Sequence, residues 1–426
     1  MSEKVYKKRI VDQLLSERLE EVGAVLIEGP KWCGKTTTAI QQAKSKVMLA
    51  HPETLQKSQT MLAINATRLL NGDTPRLFDE WQTLPELWDN IRYEVDARNE
   101  EGQFILTGSA VPVESDKIVH TGTGRFAWIT MRPMSLWESE ESNGSVSLHS
   151  LFQGQLDIHG ECYHTLEDIA FMLCRGGWPS SLGRSTRAAL RVARDYYDAV
   201  VKTDFIRVDG TLRNQNRSRM LLRSLARLQG TQTAINVIRQ DMLANDESTL
   251  SETTVALYIE ALRKIFVVED MPAWSTNLRS KTVIRTSPTR YFVDPSIAVS
   301  ALGITPADLL DDLNTFGFLF EAMAIRDLRV YADALDAKLY HYRDKDELEC
   351  DAVMELRNGR YGLIEIKLGG MANVKSAAQQ LASLARKIDT IRVGEPAFRM
   401  VLTAVGDAAM RLEDGTLVVP IGCLKP

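Results

Sequence analysis

The chain is short of cysteine and histidine and has no long apolar run, and each shortage removes a class of function. Its five cysteines (Cys33, Cys162, Cys174, Cys350 and Cys423) are scattered over 426 residues, odd in number and without a Cys-x-x-Cys pair. That spacing argues against a disulfide framework or a zinc knuckle and favours a reducing, cytoplasmic home. The six histidines, His51, His120, His149, His159, His164 and His341, show no paired spacing suited to a metal. No apolar stretch approaches the roughly 18 residues of a membrane-spanning helix, and no signal peptide precedes the first motif. Internal repeats, low-complexity tracts and a Gly-x-Ser-x-Gly nucleophile motif are also lacking.

What remains is an ordinary globular composition, 44% hydrophobic and 25% charged. The length suggests two to four domains, each able to bury a core. A net charge of −5 excludes a protein that coats nucleic acid uniformly, but not a local basic face. Residues 211–290 hold 12 Lys and Arg against 7 Asp and Glu, so this segment is +5 within an acidic chain.

Short apolar runs at Ala24–Ile27, Arg76–Phe78 and Phe104–Leu106 alternate with helical patterns over the first 135 residues. Runs of that kind are buried on both faces, which predicts a parallel sheet in an α/β layer fold. Residues 139–165, richer in Gly, Ser and His, are expected to be a loop or boundary. Residues 166–270 are expected to be helical, including Thr186–Phe205, Arg217–Leu228, 234–239 and Thr249–Val268, with a strand at Arg290–Val293. From Asn314 a helix leads to strands at Ala337–Tyr342, Cys350–Leu356 and Tyr361–Ile366, a helix at Val374–Arg386 and a strand near Met400–Leu402.

Gly29-Pro-Lys-Trp-Cys-Gly34-Lys35-Thr36 fits Gly-x4-Gly-Lys-Thr, between a strand and a predicted helix, Thr37–Ala43. That context disfavours a mere glycine turn. Gly29, Pro30, Lys31, Trp32, Cys33, Gly34, Lys35, Thr36 and Thr37 would wrap the phosphates of ATP with backbone N–H groups at the helix's positive end. Lys35 would reach the β- and γ-phosphates, and the Thr36 hydroxyl would ligate Mg²⁺. The strand at Leu77-Phe78 ends in Asp79-Glu80, with Asp79 placed to hold Mg²⁺ through water and Glu80 to polarise the attacking water. An acidic helix cap is the plainer alternative for this pair. A further strand ends in Thr107-Gly-Ser109, whose hydroxyls can meet the γ-phosphate or the water.

These elements, in this order, resemble the AAA-type ATPases, and in particular the prokaryotic ATPases that carry a C-terminal domain of unknown function. The resemblance covers nearly the whole chain: Tyr6–Arg9, the P-loop, Asp79–Gln82, Leu106–Ser109, Gly124-Arg125, Arg132–Ser135 and Glu138. Trp32, Cys33 and Trp81 depart from the aliphatic residues commoner in that family. The resemblance implies an arginine finger before the fifth strand, which makes Arg125 the candidate and Arg132 the second; a surface loop arginine is the plainer reading. It also implies a winged helix. Three helices followed by a basic ribbon with Arg279, Lys281, Arg285 and Arg290 would place Lys and Arg on DNA phosphates, although winged helices also dock proteins.

In the C-terminal region, Glu321 on a helix, Asp351 on one strand and Glu365-Ile366-Lys367 on the next look like the PD-(D/E)xK nuclease core. Asp351 and Glu365 would bind Mg²⁺, and Lys367 would orient or deprotonate water against a phosphodiester. Gln379 or Gln380 matches a polar position frequent in that superfamily. A two-residue Asn-Gly turn would set Asp351 on the wrong face. A three-residue loop, Arg357–Gly359 with Gly359 left-handed, sets it opposite Glu365, so the site needs that bulged turn or a kink near Asp351. The plainer readings are an inherited fold without activity, or ordinary edge-strand charges.

The chain is therefore expected to be α/β, with four parts: a P-loop parallel-sheet AAA core (1–140), a helical lid (141–208), a winged helix (209–310) and a restriction-endonuclease-like domain (311–426). The expected function is ATP hydrolysis with Mg²⁺ by a homo-oligomer, such as a ring, acting on DNA in repair, recombination or branched-DNA processing. The alternative is an ATP-switched regulator or scaffold that binds partners without cleaving DNA. A small-molecule kinase is disfavoured because Asp79-Glu80 with a separate finger suits attack by water.

Overall fold

The structure is a computed structural model that describes residues 5–110, 122–204, 213–243, 250–275, 288–344, 348–388 and 390–426. Arg279, Lys281, Arg285 and His120 lie outside these residues. The chain forms two compact units. The first comprises Met1–Pro133 with Lys202–Asn214 and Glu260–Val267; the second comprises Met134–Val201, Gln215–Ile259 and Val268–Pro426.

The first unit runs α1 (Ile10–Glu21), β1 (Ala24–Glu28), α2 (Lys35–Gln42), β2 (Ser45–Met48), α3 (Pro52–Leu70), β3 (Arg76–Asp79), α4 (Leu87–Arg98), β4 (Phe104–Gly108) and β5 (Phe126–Thr130). All five strands are parallel, in the order β2-β3-β4-β1-β5. Apolar side chains of β1, β3 and β4 are buried on both sheet faces: Leu26, Phe78 and Leu106 in one core, Val25, Leu77 and Ile105 in the other. Trp88 of α4 stacks on Phe126 with ring centroids 3.9 Å apart, and Arg92 pairs with Asp96 one turn on at 3.2 Å. This helix therefore packs through Trp88 and pairs charges on its surface. The strand β2 escapes the sequence pattern because only Val47 among its four residues is buried. It is an edge strand, and edge strands show weak patterning.

The second unit contains β6 (Val146–Ser147), α5 (Leu148–Phe152), β7 (Gly160–Glu161), α6 (Leu166–Arg175), α7 (Thr186–Ala199), α8 (Gln215–Arg227), α9 (Ile235–Leu243) and most of α10 (Glu252–Lys264). There follow β8 (Val268–Met271), β9 (Thr289–Phe292), α11 (Pro295–Leu302), α12 (Pro306–Asp311) and α13 (Leu313–Ala334). The last part is β10 (Ala337–Arg343), β11 (Glu349–Leu356), β12 (Tyr361–Lys367), α14 (Met371–Lys387), α15 (Thr390–Val393), β13 (Phe398–Thr403), β14 (Ala408–Arg411), β15 (Leu417–Pro420) and β16 (Leu424–Lys425). Helices α6, α7 and α8 pack on α11, and β8 pairs antiparallel with β9.

A mixed seven-stranded sheet, β10-β11-β12-β13-β15-β14-β7, carries α14 on one face. Two of the short segments expected to be boundary loop join the C-terminal strands instead. Val146 pairs with Leu424, and Glu161 with Ala408. Two-residue strands carry no periodicity, so nothing in the sequence marks them. Buried ion pairs organise the unit: Arg326 binds Asp294 at 2.9 Å and Asp327 at 2.7 Å, and Asp327 also accepts the Leu136 N–H at 2.9 Å. Ser135 and Glu138 close a reciprocal cap, the Ser135 N–H donating to Glu138 at 2.9 Å and the Glu138 N–H to Ser135 at 3.3 Å.

Candidate functional site

The P-loop begins where β1 ends. Gly29 has φ +149°, and a Cβ there would lie 2.1 Å from the Met131 carbonyl oxygen, so only glycine fits. Gly34, at φ +109°, is the left-handed N-cap of α2. Between them Trp32 also has positive φ, 65°, and is 48% exposed. The Lys35 ammonium folds back under the loop and donates to the Gly29 and Pro30 carbonyls at 2.8 and 2.7 Å. Arg9 secures the loop from below, donating to the Cys33 carbonyl and to the Arg132 carbonyl, both at 2.8 Å. Arg9 falls within a segment that the family resemblance covers, but nothing in the sequence gives it this task. Lys31 and Thr37 are exposed at the two ends of the turn.

The strand order explains the rest of the site. Because β4 lies between β1 and β3, Thr107 is in register with Ile27 on one side and Asp79 on the other. Asp79 Oδ1 accepts the Thr36 hydroxyl at 2.6 Å and the Thr107 hydroxyl at 2.7 Å. Glu80 is held in the left-handed region at φ 58°, and its carboxylate accepts from Gln82 and from the Ser109 hydroxyl, the latter at 3.0 Å. The buried Asp79 carboxylate and the Thr36 hydroxyl are hard oxygen ligands that fit Mg²⁺, and the Lys35 ammonium on the loop is a cationic hydrogen-bond donor that fits phosphate. Arg125 stands one residue before β5 and bonds Asp96 Oδ1 at 2.8 Å, its side chain 45% exposed.

The second constellation lies in the C-terminal sheet. The β11–β12 turn is the three-residue one: Leu356 N–H donates to Arg360 O, and Gly359 has φ +83°. The register Ala352↔Ile364, continued one step, sets Asp351 opposite Glu365. Asp351 Oδ2 accepts the Ile366 N–H at 2.7 Å and lies 3.8 Å from Lys367 Nζ, which bonds Glu365 Oε1 at 2.8 Å. The Cys350 thiol bridges the Ala352 and Ile364 carbonyls at 3.3 Å each, pinning the two strands beside Asp351. Glu321 projects from α13 towards this group and accepts the Tyr291 hydroxyl at 2.7 Å. Gln380 is spent on the Glu349 carbonyl at 3.0 Å, and Gln379 is exposed.

Burial pushes Glu321 up to about 8, helped by repulsion from Asp351 and opposed by the Tyr291 hydrogen bond and Lys367. Burial likewise pushes Glu365 up to about 8, and it raises Asp351. Lys367 is raised to about 12, because Asp351 and Glu365 outweigh its own desolvation. Glu365 Oε2 is buried with no hydrogen-bond partner, as is Thr403 Oγ1 on the strand position in register with Lys367. Among the described residues no three His, Cys, Asp or Glu side chains are gathered to hold a metal ion. Mg²⁺ commonly takes one or two carboxylates with waters and substrate phosphate oxygens, and Asp351 with the orphaned Glu365 oxygen fits that pattern. Tyr291 and Thr403 are not legible as site residues in the sequence; neither has a spacing that ties it to the acidic residues.

Residues 22–140 match the family described as AAA domain. That stretch is thus similar to the AAA-type P-loop ATPase domains. Beyond it, residues 166–308 match one domain of unknown function (DUF8612) and residues 316–424 another (DUF4143). Uncharacterized proteins of Mycobacterium bovis and Mycobacterium tuberculosis are each 23% identical over 414 residues, 95% of this chain and 82% of theirs. A Walker-type ATPase of Pyrococcus abyssi superposes at TM-score 0.42 with 17% identity, over 70% of this chain and 96% of that one. The Aeropyrum pernix Orc1 protein, solved in complex with DNA, reaches only 0.28, with 16% identity over 71% and 93%. Residues 22–140 thus match an AAA family model, and residues 166–308 and 316–424 match families without an assigned function. No described helix is long and apolar enough to cross a membrane.

Proposed function

We propose that the AAA domain hydrolyses ATP and that the whole chain acts on DNA. The observation that carries the first half is the convergence of Thr36 and Thr107 on Asp79, with Glu80 held by Ser109 beside them. In this reading Lys35 leaves its loop carbonyls for the β- and γ-phosphates, and Thr36 and Asp79 hold Mg²⁺, which would neutralise developing phosphate charge. Glu80 takes a proton from the attacking water, and Ser109 fixes the carboxylate that does so. Arg125 acts on a neighbouring subunit's nucleotide after leaving Asp96. Mixing Arg125→Ala with Lys35→Ala subunits should then restore part of the turnover that each lacks, and no recovery at any ratio would remove the trans role.

The segments 141–208 and 209–310 serve as lid and winged helix, and 311–426 as a nuclease-like domain in which Lys367 orients water beside Asp351 and Glu365. The deciding measurement is ATP turnover without DNA and with duplex, forked and four-way DNA. Stimulation by one form supports a DNA-processing motor. Equal turnover on all would favour the second reading, an ATP-switched regulator, which the self-paired state of Lys367 also suits.

A further inference from the structure

Cys162 and Cys423 stand far apart in the chain, yet the fold sets their side chains against each other at one edge of the C-terminal sheet. Cys162 follows β7 directly, and its N–H donates to the Asp407 carbonyl at 3.0 Å, beside the pairing of β7 with β14. Cys423 precedes β16 directly, in a turn whose Gly422 carbonyl accepts the Asn143 N–H at 2.8 Å. Each sulfur lies against the other cysteine's part of the chain. A Cβ on Gly422 would come 2.8 Å from Cys162 Sγ, and a Cβ on Gly160 would come 3.4 Å from Cys423 Sγ. Cys423 Sγ is also 3.5 Å from the Glu161 carbonyl oxygen, and its thiol hydrogen-bonds the Cys162 sulfur. Both cysteines are free thiols.

The surroundings make the two sulfurs unequal. The Cys423 thiol donates to Cys162, and this outweighs burial; the His164 and Gly422 N–H groups and the charge on His164 add to it, bringing Cys162 down to about 6. His164 is fixed in place because its Nε2 donates to the Glu141 carbonyl at 2.6 Å. Cys423, as the donor, is pushed up by the same hydrogen bond and by burial. Burial also raises Cys174 to about 12 and Cys350 well above its ordinary value, so neither is a nucleophile at neutral pH. Cys162 keeps 6% of its surface exposed and Cys423 none, so Cys162 is the sulfur that a small oxidant meets.

We infer that Cys162 and Cys423 form an oxidation site: hydrogen peroxide oxidises Cys162, and Cys423 resolves the product into a reversible disulfide. The Cys162 thiolate attacks one peroxide oxygen. An S–O bond forms, the O–O bond breaks, and the departing hydroxide takes up the proton that Cys162 released, as water. The Cys423 sulfur then attacks the Cys162 sulfenic acid. The S–S bond forms, the S–O bond breaks, and hydroxide leaves with the Cys423 proton as a second water. Two thiols lose two electrons between them, and the peroxide gains both. The new bond joins the residue after β7 to the residue before β16. Both are two-residue strands that hold their partners by few hydrogen bonds, so the disulfide staples the sheet edge where backbone pairing is thinnest.

The test treats the folded full chain with a small excess of hydrogen peroxide at neutral pH, quenches with catalase, and counts thiols after denaturation. Wild type should fall from five thiols to three, a peptide map should find Cys162 joined to Cys423, and dithiothreitol should restore all five. Cys423→Ser should leave Cys162 as a sulfenic acid that dimedone captures. Cys162→Ser should keep its remaining thiols at the same peroxide dose. Five thiols left in wild type, at a dose that fully oxidises free cysteine in the same buffer, would overturn the site. So would a disulfide mapped to another pair, or dimedone capture on wild-type Cys162 without a disulfide. A loss of two thiols that runs equally fast in denaturant overturns it as well, because the fold then plays no part. Counting and mapping on wild type need no substitution, so they decide the matter even where a serine variant misfolds.

Discussion

The P-loop and the acidic cluster both gather groups suited to phosphate chemistry, but they are assembled in opposite ways. In the P-loop, eight consecutive residues make the loop, closed by glycine geometry and its own carbonyls and braced by Arg9. In the cluster, four side chains come from three elements, and Tyr291 reaches in from a fourth. The first kind of site depends on backbone conformation. The second depends on strand register and on burial, which pushes Glu321 and Glu365 up to about 8. A site of the second kind can keep its fold and lose its reaction through one distant change.

The sharpest break between the two is expected from the nucleotide side. Lys35→Ala should abolish nucleotide binding, measured with a fluorescent analogue, and should leave two loop carbonyls without their donor. Glu80→Gln should keep binding and reduce turnover by about 10²-fold or more, as the loss of a catalytic base does. Unchanged turnover would remove Glu80 from the mechanism. In the cluster, Mn²⁺- or Mg²⁺-dependent nicking of supercoiled DNA should disappear in Asp351→Ala and in Lys367→Ala. Nicking that survives both would assign it elsewhere.

A smaller effect separates the regions by pH. In the unfolded chain Glu321 loses its proton near 4.5, and in the fold only near 8. Between those values the folded state binds more protons than the unfolded one, so this group's contribution to stability falls as pH rises. Glu321→Gln should therefore match wild type in melting temperature near pH 4 and gain on it progressively up to about pH 8.5, followed by calorimetry. A constant difference across that range would contradict the burial of an ionisable Glu321. The smallest effect concerns the turn that sets the cluster's register. A Cβ on Gly359 meets nothing within 4 Å, so Gly359→Ala should cost only the left-handed backbone penalty, about 1 kcal/mol. Gly29→Ala, whose Cβ strikes the Met131 carbonyl, should cost clearly more in a parallel denaturant series.

Much of this was legible in the sequence. The strands β1, β3 and β4 are apolar runs between helical patterns, and the P-loop, Asp79-Glu80 and Thr107 follow at their ends. The C-terminal helix, β10 to β13 and α14 were also readable, but the turn between β11 and β12 was not: the sequence left its length open, and the structure decided on the three-residue loop that sets Asp351 opposite Glu365. The edge strand β2 and the two-residue strands β6 and β7 were not readable either, since too few of their residues are patterned. Arg9 and Tyr291 were invisible as site residues: a lone arginine or tyrosine is defined by the atoms it reaches, and those lie 24 and 30 positions away.

The sequence by itself determined where the P-loop lies, because its strand end, two glycines and helix start follow one another within a few residues; the Met131 carbonyl that admits only glycine at 29 and the Arg9 that secures the loop come from the tertiary structure. The sequence also determined the spacing that puts Glu365 and Lys367 on one strand face. Only the tertiary structure decided that Thr36 and Thr107 share one oxygen of Asp79, which follows from β4 lying between β1 and β3. It alone decided that Tyr291 meets Glu321 and that burial raises the carboxyls around Lys367. Hydrogen bonds and desolvation depend on separations of a few ångströms, and the sequence records only separations along the chain.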